Sequence, residues 1–73
     1  MGKLRVLSGH DVCAILLLHG FLPVRQRSSH IIMQRNVGGR TTTVPVPDHK
    51  EVKIGTLRSI IRQSGVSKSE FEA

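Results

Sequence analysis

Apolar residues recur at helical spacing near both ends of the chain and alternate or cluster in three short stretches between. The first helical stretch opens at Leu7-Ser8-Gly9-His10-Asp11-Val12. Ser8 suits an N-cap, Asp11 three residues on completes a capping box, and Leu7 against Val12 forms an apolar staple. Val12, Ile15, Leu16 and His19 continue at helical spacing. Gly20 can adopt the left-handed conformation that ends a helix, and Phe21 then folds back onto Leu16 in a Schellman motif. A second helix begins between Lys53 and Thr56. Leu57, Ile60 and Ile61, preceded by Ile54, form its stripe, and Arg58 and Arg62 lie four apart on another face. Gly65 ends it, with Val66 against Ile61 in a second Schellman arrangement. Ser67 to Glu70 reads as a further capping box for a last turn anchored by Phe71.

The middle of the chain reads as strands. Leu22 to Arg27 carries Pro23 near its start, which an edge strand tolerates, and its alternation puts Arg25 and Arg27 on one face. Ile31 to Arg35 alternates, with Ile31, Met33 and Arg35 on one side and His30, Ile32 and Gln34 on the other. Ser28-Ser29 favours a turn before it, because short hydroxyl side chains bond nearby backbone groups. Asn36-Val37-Gly38-Gly39 supplies the residues a hairpin needs for positive φ. Arg40 to Val46 is a third strand, rich in β-branched residues, and Pro45 and Pro47 mark it as an edge or as ending there. Pro47 to Lys53 is a polar link. The order is αβββα, an α+β fold with a three-stranded antiparallel sheet and two helices on one face, so that the two helix stripes are buried together. Leu7, Val12, Ile15, Leu16, Phe21, Leu57, Ile60 and Ile61 are the expected core.

Length and charge narrow the functions such a fold can serve. The 73 residues suffice for one small domain, 1–73, with a core too thin for a deep cofactor pocket. Eleven Lys and Arg against five acidic residues give a net charge of +6. The excess is uneven: through Pro47, Lys3, Arg5, Arg25, Arg27, Arg35 and Arg40 face Asp11 alone. Such a surface attracts polyanions, and nucleic acid fits better than an acidic small molecule. Without Trp or Tyr, the chain lacks the aromatic platform on which single-strand binders stack bases. The lone Cys13 suits a reducing, cytoplasmic setting. The apolar run Val12 to Leu18 falls far short of the ~20 residues of a membrane span, and neither a secretory cleavage site nor a myristoylation signal is recognisable.

The candidate chemistry converges on Arg25-Gln26-Arg27-Ser28-Ser29-His30-Ile31-Ile32-Met33-Gln34-Arg35. A neutral imidazole at His30 could take a proton from a 2′-hydroxyl or give one to a leaving oxygen, with flanking arginines holding the phosphate. On residue type and spacing alone, an exposed strand-end histidine without a role accounts for His30 better, since no second histidine or carboxylate stands at a recognisable distance. His10 and Cys13 lie three apart, but no second pair completes a metal site, and Cys13 reads as a small hydrophobe. His19 suits the end of the first helix, where it complements the dipole. His49 lies in the polar link, where it could approach the His30 face. Gly38-Gly39 lacks the lysine and helix of a phosphate loop. Arg58 and Arg62 read as a solvated face that leaves a phosphate contact open. These features describe a basic nucleic-acid-binding module.

Taken in order, Gly20-Phe21, Arg27-Ser28-Ser29-His30, Val44-Pro45-Val46 and Gly55-Thr56-Leu57-Arg58-Ser59-Ile60-Ile61-Arg62-Gln63-Ser64-Gly65 resemble the HicA, or YcfA-like, family of toxins. The resemblance implies a fold similar to the double-stranded-RNA-binding domain, in agreement with αβββα. It also implies an mRNA interferase of a type II toxin–antitoxin pair: an endoribonuclease without metal or other cofactor, neutralised by a HicB-family antitoxin covering the His30 face. His30 matches the catalytic histidine of the family's Gly-Ser-His motif, with Ser28 in the place of the glycine and Ser29 retained. Arg25, Arg27, Ser28, Ser29, Arg35, Arg58 and Arg62 are then the expected RNA-binding residues. A non-catalytic RNA-binding module and an inactive adaptor that only holds the antitoxin are the alternatives. RNA cut in EDTA, as opposed to RNA shifted intact, separates the first two.

Overall fold

The computed structural model describes residues 2–73. Ser8 caps α1 (Gly9–Leu18) in the expected capping box: its hydroxyl accepts from the Asp11 amide at 3.0 Å, and the Asp11 carboxylate accepts from the Ser8 amide at 3.0 Å. Gly20, at φ +89°, turns the chain out of the helix. The Phe21 amide donates to the Leu16 carbonyl at 3.1 Å and the Gly20 amide to that of Leu17 at 3.2 Å, the bond pair of a Schellman motif. Phe21 is thereby carried into the core, where it is fully buried.

Three antiparallel strands follow, β1 (Leu22–Arg27), β2 (His30–Val37) and β3 (Arg40–Pro47), in spatial order β1-β2-β3. Gly38 and Gly39 both have positive φ, as a two-residue type I′ hairpin requires. The prolines lie in the two edge strands, where a missing amide leaves no gap in the sheet. β2 pairs with β3 without interruption from His30↔Pro47 to Val37↔Arg40. β1 pairs with β2 through a bulge: Pro23 is opposite Met33, but the next pair is Arg25 opposite Ile32.

α2 (Ile54–Ser64) and a 3-10 turn (Lys68–Phe71) complete the chain. Both helices lie on one face of the sheet. Met33, Val44 and Val46 meet Leu7, Val12, Leu16, Phe21, Leu57, Ile60 and Phe71 in a single core. Apolar burial of each large side chain is worth about 1.5–3 kcal/mol against exposure. Ile61, expected in the core, is only half-buried against its rim. Val52 and Val66, just outside the two ends of α2, are buried instead.

Two expected helix-end details differ. The Gly65 amide donates to Ile61 at 3.1 Å with Gly65 at φ +72°, but the Val66 amide turns to the buried Ser64 hydroxyl at 3.1 Å, so α2 ends in the simpler left-handed cap. Glu70 does not close a capping box on Ser67. Its carboxylate is 3.0 Å from His19 Nε2, which ties the last turn to the end of α1. The N-terminal segment pairs antiparallel with the C-terminal one, through Arg5 amide to Phe71 carbonyl and Ala73 amide to Lys3 carbonyl, each 2.9 Å.

Candidate functional site

Side chains alternate across a strand, so the register sorts every residue of the sheet. Ile31, Met33 and Arg35 point toward the helices, and His30, Ile32, Gln34 and Asn36 toward the uncovered face, as the alternation in the sequence implies. The bulge decides where the arginines go. Without it Arg25 would stand opposite Ile31, on the helical side. With one extra residue in β1, Arg25 pairs with Ile32 and Arg27 with His30, and both join the uncovered face. Bulges often re-aim side chains in this way beside functional sites.

His30 is exposed at the start of β2, with Arg27 as its partner on one side and Pro47 on the other. Directly paired residues hold their Cβ atoms about 4.5–5.5 Å apart, within which a guanidinium and an imidazole can address one phosphate. The turn before His30 is held from both ends. The Asp48 amide donates to the Ser29 carbonyl at 2.7 Å, and the Asp48 carboxylate reaches His10 Nε2 at 3.2 Å and accepts from the Gln26 amide group at 3.4 Å. Gly9 sets the same junction from below: its amide donates to the His49 carbonyl at 2.9 Å, and a Cβ on it would collide with the Pro47 carbonyl oxygen. Only glycine permits that approach. His49 itself is exposed on the link.

Ser28 sits in this turn at φ +53°, the one non-glycine residue with positive φ among those described. An L-residue in this region carries a steric cost of roughly 1–2 kcal/mol, so the turn geometry that glycine adopts freely is retained here under strain. Ser28, Ser29, Arg25, Arg27 and His30 are therefore brought together on one exposed corner.

Arg35, Arg58 and Arg62 are not. Arg35 was expected among the RNA contacts because it follows the histidine on the same strand, but it has the opposite parity and turns inward. Its guanidinium donates to the His19 carbonyl and to the Ser64 carbonyl, each at 3.1 Å, and its carbon lies 4.6 Å from the centre of the Phe21 ring. One cation thus closes the C-terminal ends of both helices, where the helix dipoles concentrate negative charge. Arg58 and Arg62 are exposed on α2, on the helical side of the sheet. Arg58 lines a separate depression with Lys3 and Lys68, and Arg62 donates to Ser59 at 3.4 Å.

Cys13 is half-buried against the core, and burial together with the Asp48 charge pushes its thiol above the ordinary value, which leaves it a poor nucleophile. Two polar pairs not singled out in the sequence extend the uncovered face: Gln34 donates to the Thr43 hydroxyl and Asn36 to the Thr41 hydroxyl, each at 3.2 Å. The parity that put Gln34 beside His30 was the available signal for them.

The family model described as HicA toxin of bacterial toxin–antitoxin systems matches residues 9–66, from the first residue of α1 to the core residue after α2. The chain belongs to the HicA toxin family. No curated protein matches it. Membership makes this HicA-family chain the toxin side of a toxin–antitoxin system, with a cognate antitoxin as its partner. Among the described residues no helix is long and apolar enough to cross a membrane.

Proposed function

We propose that this chain is an endoribonuclease that cleaves mRNA with His30 as the acid–base group, without a metal, and that a HicB-family antitoxin silences it by covering the His30 face. The observation that supports this most is the pairing of His30 with Arg27 on an uncovered sheet face. No residue from Val12 to Pro47 is acidic, so nothing on the strands repels a phosphodiester. An imidazole takes and gives protons at physiological pH, and a guanidinium holds two phosphate oxygens in a fork.

The step needs little else. His30 accepts the 2′-hydroxyl proton while the 2′-oxygen bonds to phosphorus, and the bond from phosphorus to the 5′-oxygen breaks. The departing oxygen takes its proton from water at this exposed corner. The products are a 2′,3′-cyclic phosphate and a 5′-hydroxyl. Arg27 stabilises the charge that builds on the non-bridging oxygens, and Arg25, one pair further along, holds the backbone. Ser28 and Ser29 supply hydroxyl and amide groups at the entrance.

Incubating purified protein with mRNA in EDTA tests this reading. Fragments ending in cyclic phosphate support it. An intact, shifted RNA band would leave the binding module as the function.

A further inference from the structure

The uncovered face continues beyond His30 into a depression that the cleavage step does not use. Gly20, Leu22, Val24, Gln34, Asn36 and Thr41 line it, with a volume of about 340 Å3, at the small end of the range for ligand sites. Its floor and walls differ in kind. The walls are Leu22 and Val24, 61% and 46% exposed although both are large and apolar. Val24 is the extra residue of the bulge. The floor is Gln34, Asn36 and Thr41, the two amides being held by hydrogen bonds to the Thr43 and Thr41 hydroxyls.

Those amides are set for recognition. Each amide spends one N–H on a threonine hydroxyl, which fixes its plane and leaves its carbonyl oxygen, its second N–H and the hydroxyl proton for a ligand. Amides so fixed pair with base edges through two bonds at once, and threonine hydroxyls accept or donate as needed. A planar heterocycle has an apolar face to rest on Leu22 or Val24 and a polar edge for the floor. Solvent-exposed cross-strand pairs stabilise a hairpin modestly. That role does not account for two exposed apolar walls beside them.

We infer that this depression is a base-reading subsite for single-stranded RNA whose scissile phosphate sits at Arg27 and His30. Gln34 and Asn36 lie roughly 13 and 20 Å from His30 along β2 at the usual strand rise, so the nucleotides read there are a few removed from the cut. The occupant is RNA because the strands carry Arg25 and Arg27 on this face and no carboxylate anywhere. A duplex keeps its base edges paired, and only a single strand offers them to a sheet. The aromatic stacking that the composition lacks is replaced by hydrogen bonding. The inference rests on the ribonuclease reading.

The side-chain amides offer a direct test, because the chain has one Asn and three Gln: Asn36, Gln26, Gln34 and Gln63. In 15N-labelled His30→Ala protein titrated with short single-stranded oligoribonucleotides, the amide resonances of Gln34 and Asn36 move, while those of Gln26 and Gln63, on the helical side, stay. With His30 intact, Asn36→Ala and Thr41→Val keep their melting temperatures but change the ratio of cuts at two sites in one RNA by about fivefold or more, the scale of losing a paired base contact. RNA binding with motionless Gln34 and Asn36 amides, or a footprint at Lys3, Arg58 and Lys68, overturns the subsite and leaves the nuclease standing. Movement on adding antitoxin but not RNA also overturns it. A wild-type chain that neither binds nor cuts RNA removes the nuclease reading and the subsite with it.

Discussion

Arg27 and His30 face one another across the first hairpin because β1 holds one residue more than β2 between Pro23 and Arg25. Slipping the register by a single position exchanges the faces of a strand, and here the slip moves two arginines from the helical side to the histidine. If Arg27 steadies the phosphate during cleavage, Arg27→Ala should lower kcat by about a hundredfold, the effect of deleting one donor to a developing oxyanion. Arg25→Ala should act on binding alone, reducing the slope of log affinity against log salt by roughly 0.7. Salt titrations that give wild-type slopes for both variants would place the RNA elsewhere.

Arg35 predicts a different outcome from its neighbours. Because it closes both helix ends from inside, Arg35→Ala should destabilise the fold by about 2–3 kcal/mol, the scale of charge-assisted hydrogen bonds lost in a partly buried setting. Arg35→Lys should restore little, since an ammonium cannot span two carbonyls as a planar fork does. Urea denaturation measures both. The salt slope of RNA binding at temperatures where the variants remain folded should match the wild type.

Ser28 stores strain in the turn that presents His30. Ser28→Gly should raise stability by about 1 kcal/mol, the left-handed penalty less the flexibility glycine adds to the unfolded chain. Ser28→Val, with a branched Cβ at positive φ, should lower it. Cleavage by Ser28→Gly should persist at or above the wild-type rate. A less stable glycine variant would show that the serine hydroxyl holds the turn.

Acid should loosen the start of α1. The Ser8 amide and hydroxyl bonds hold the Asp11 carboxyl below its ordinary value of 3.8. The folded chain therefore binds this proton less readily than the unfolded one, and the contribution is complete above that value and lost as pH falls through and below it. Denaturation midpoints followed from pH 6 down to about pH 2.5 should decline less in Asp11→Asn than in the wild type. Parallel curves would mean that the capping box is insensitive to protonation.

Much of this architecture was legible because local signals agreed with one another. Ser8 and Asp11, Gly20 and Phe21, and Gly38-Gly39 each name a backbone geometry that few other residues adopt, and all three appear where expected. Alternation from Ile31 to Arg35 sorted the central strand by face. The bulge at Val24 was not legible, since an extra residue leaves no mark on an edge strand with weak alternation. Arg35 lies near His30 in sequence, but its opposite parity carries it to the helical side, where its guanidinium meets the His19 and Ser64 carbonyls. The tie from Glu70 to His19 joins residues 51 positions apart, and no local pattern announces it. The corner that gathers Arg25, Arg27, Ser28, Ser29 and His30 depended on the resemblance for its meaning, because a lone exposed histidine has no partner in the sequence to declare its role.

The central claim is that His30 transfers the proton. His30→Gln keeps a hydrogen-bonding group of similar reach but cannot exchange a proton at neutral pH. Its rate of cutting a defined mRNA in EDTA, measured beside wild type at matched melting temperature and RNA affinity, tests the claim most directly. The expected result is unchanged binding with cleavage lower by at least about 10²-fold, the range for loss of a general acid–base group. Cleavage at a near wild-type rate would contradict it.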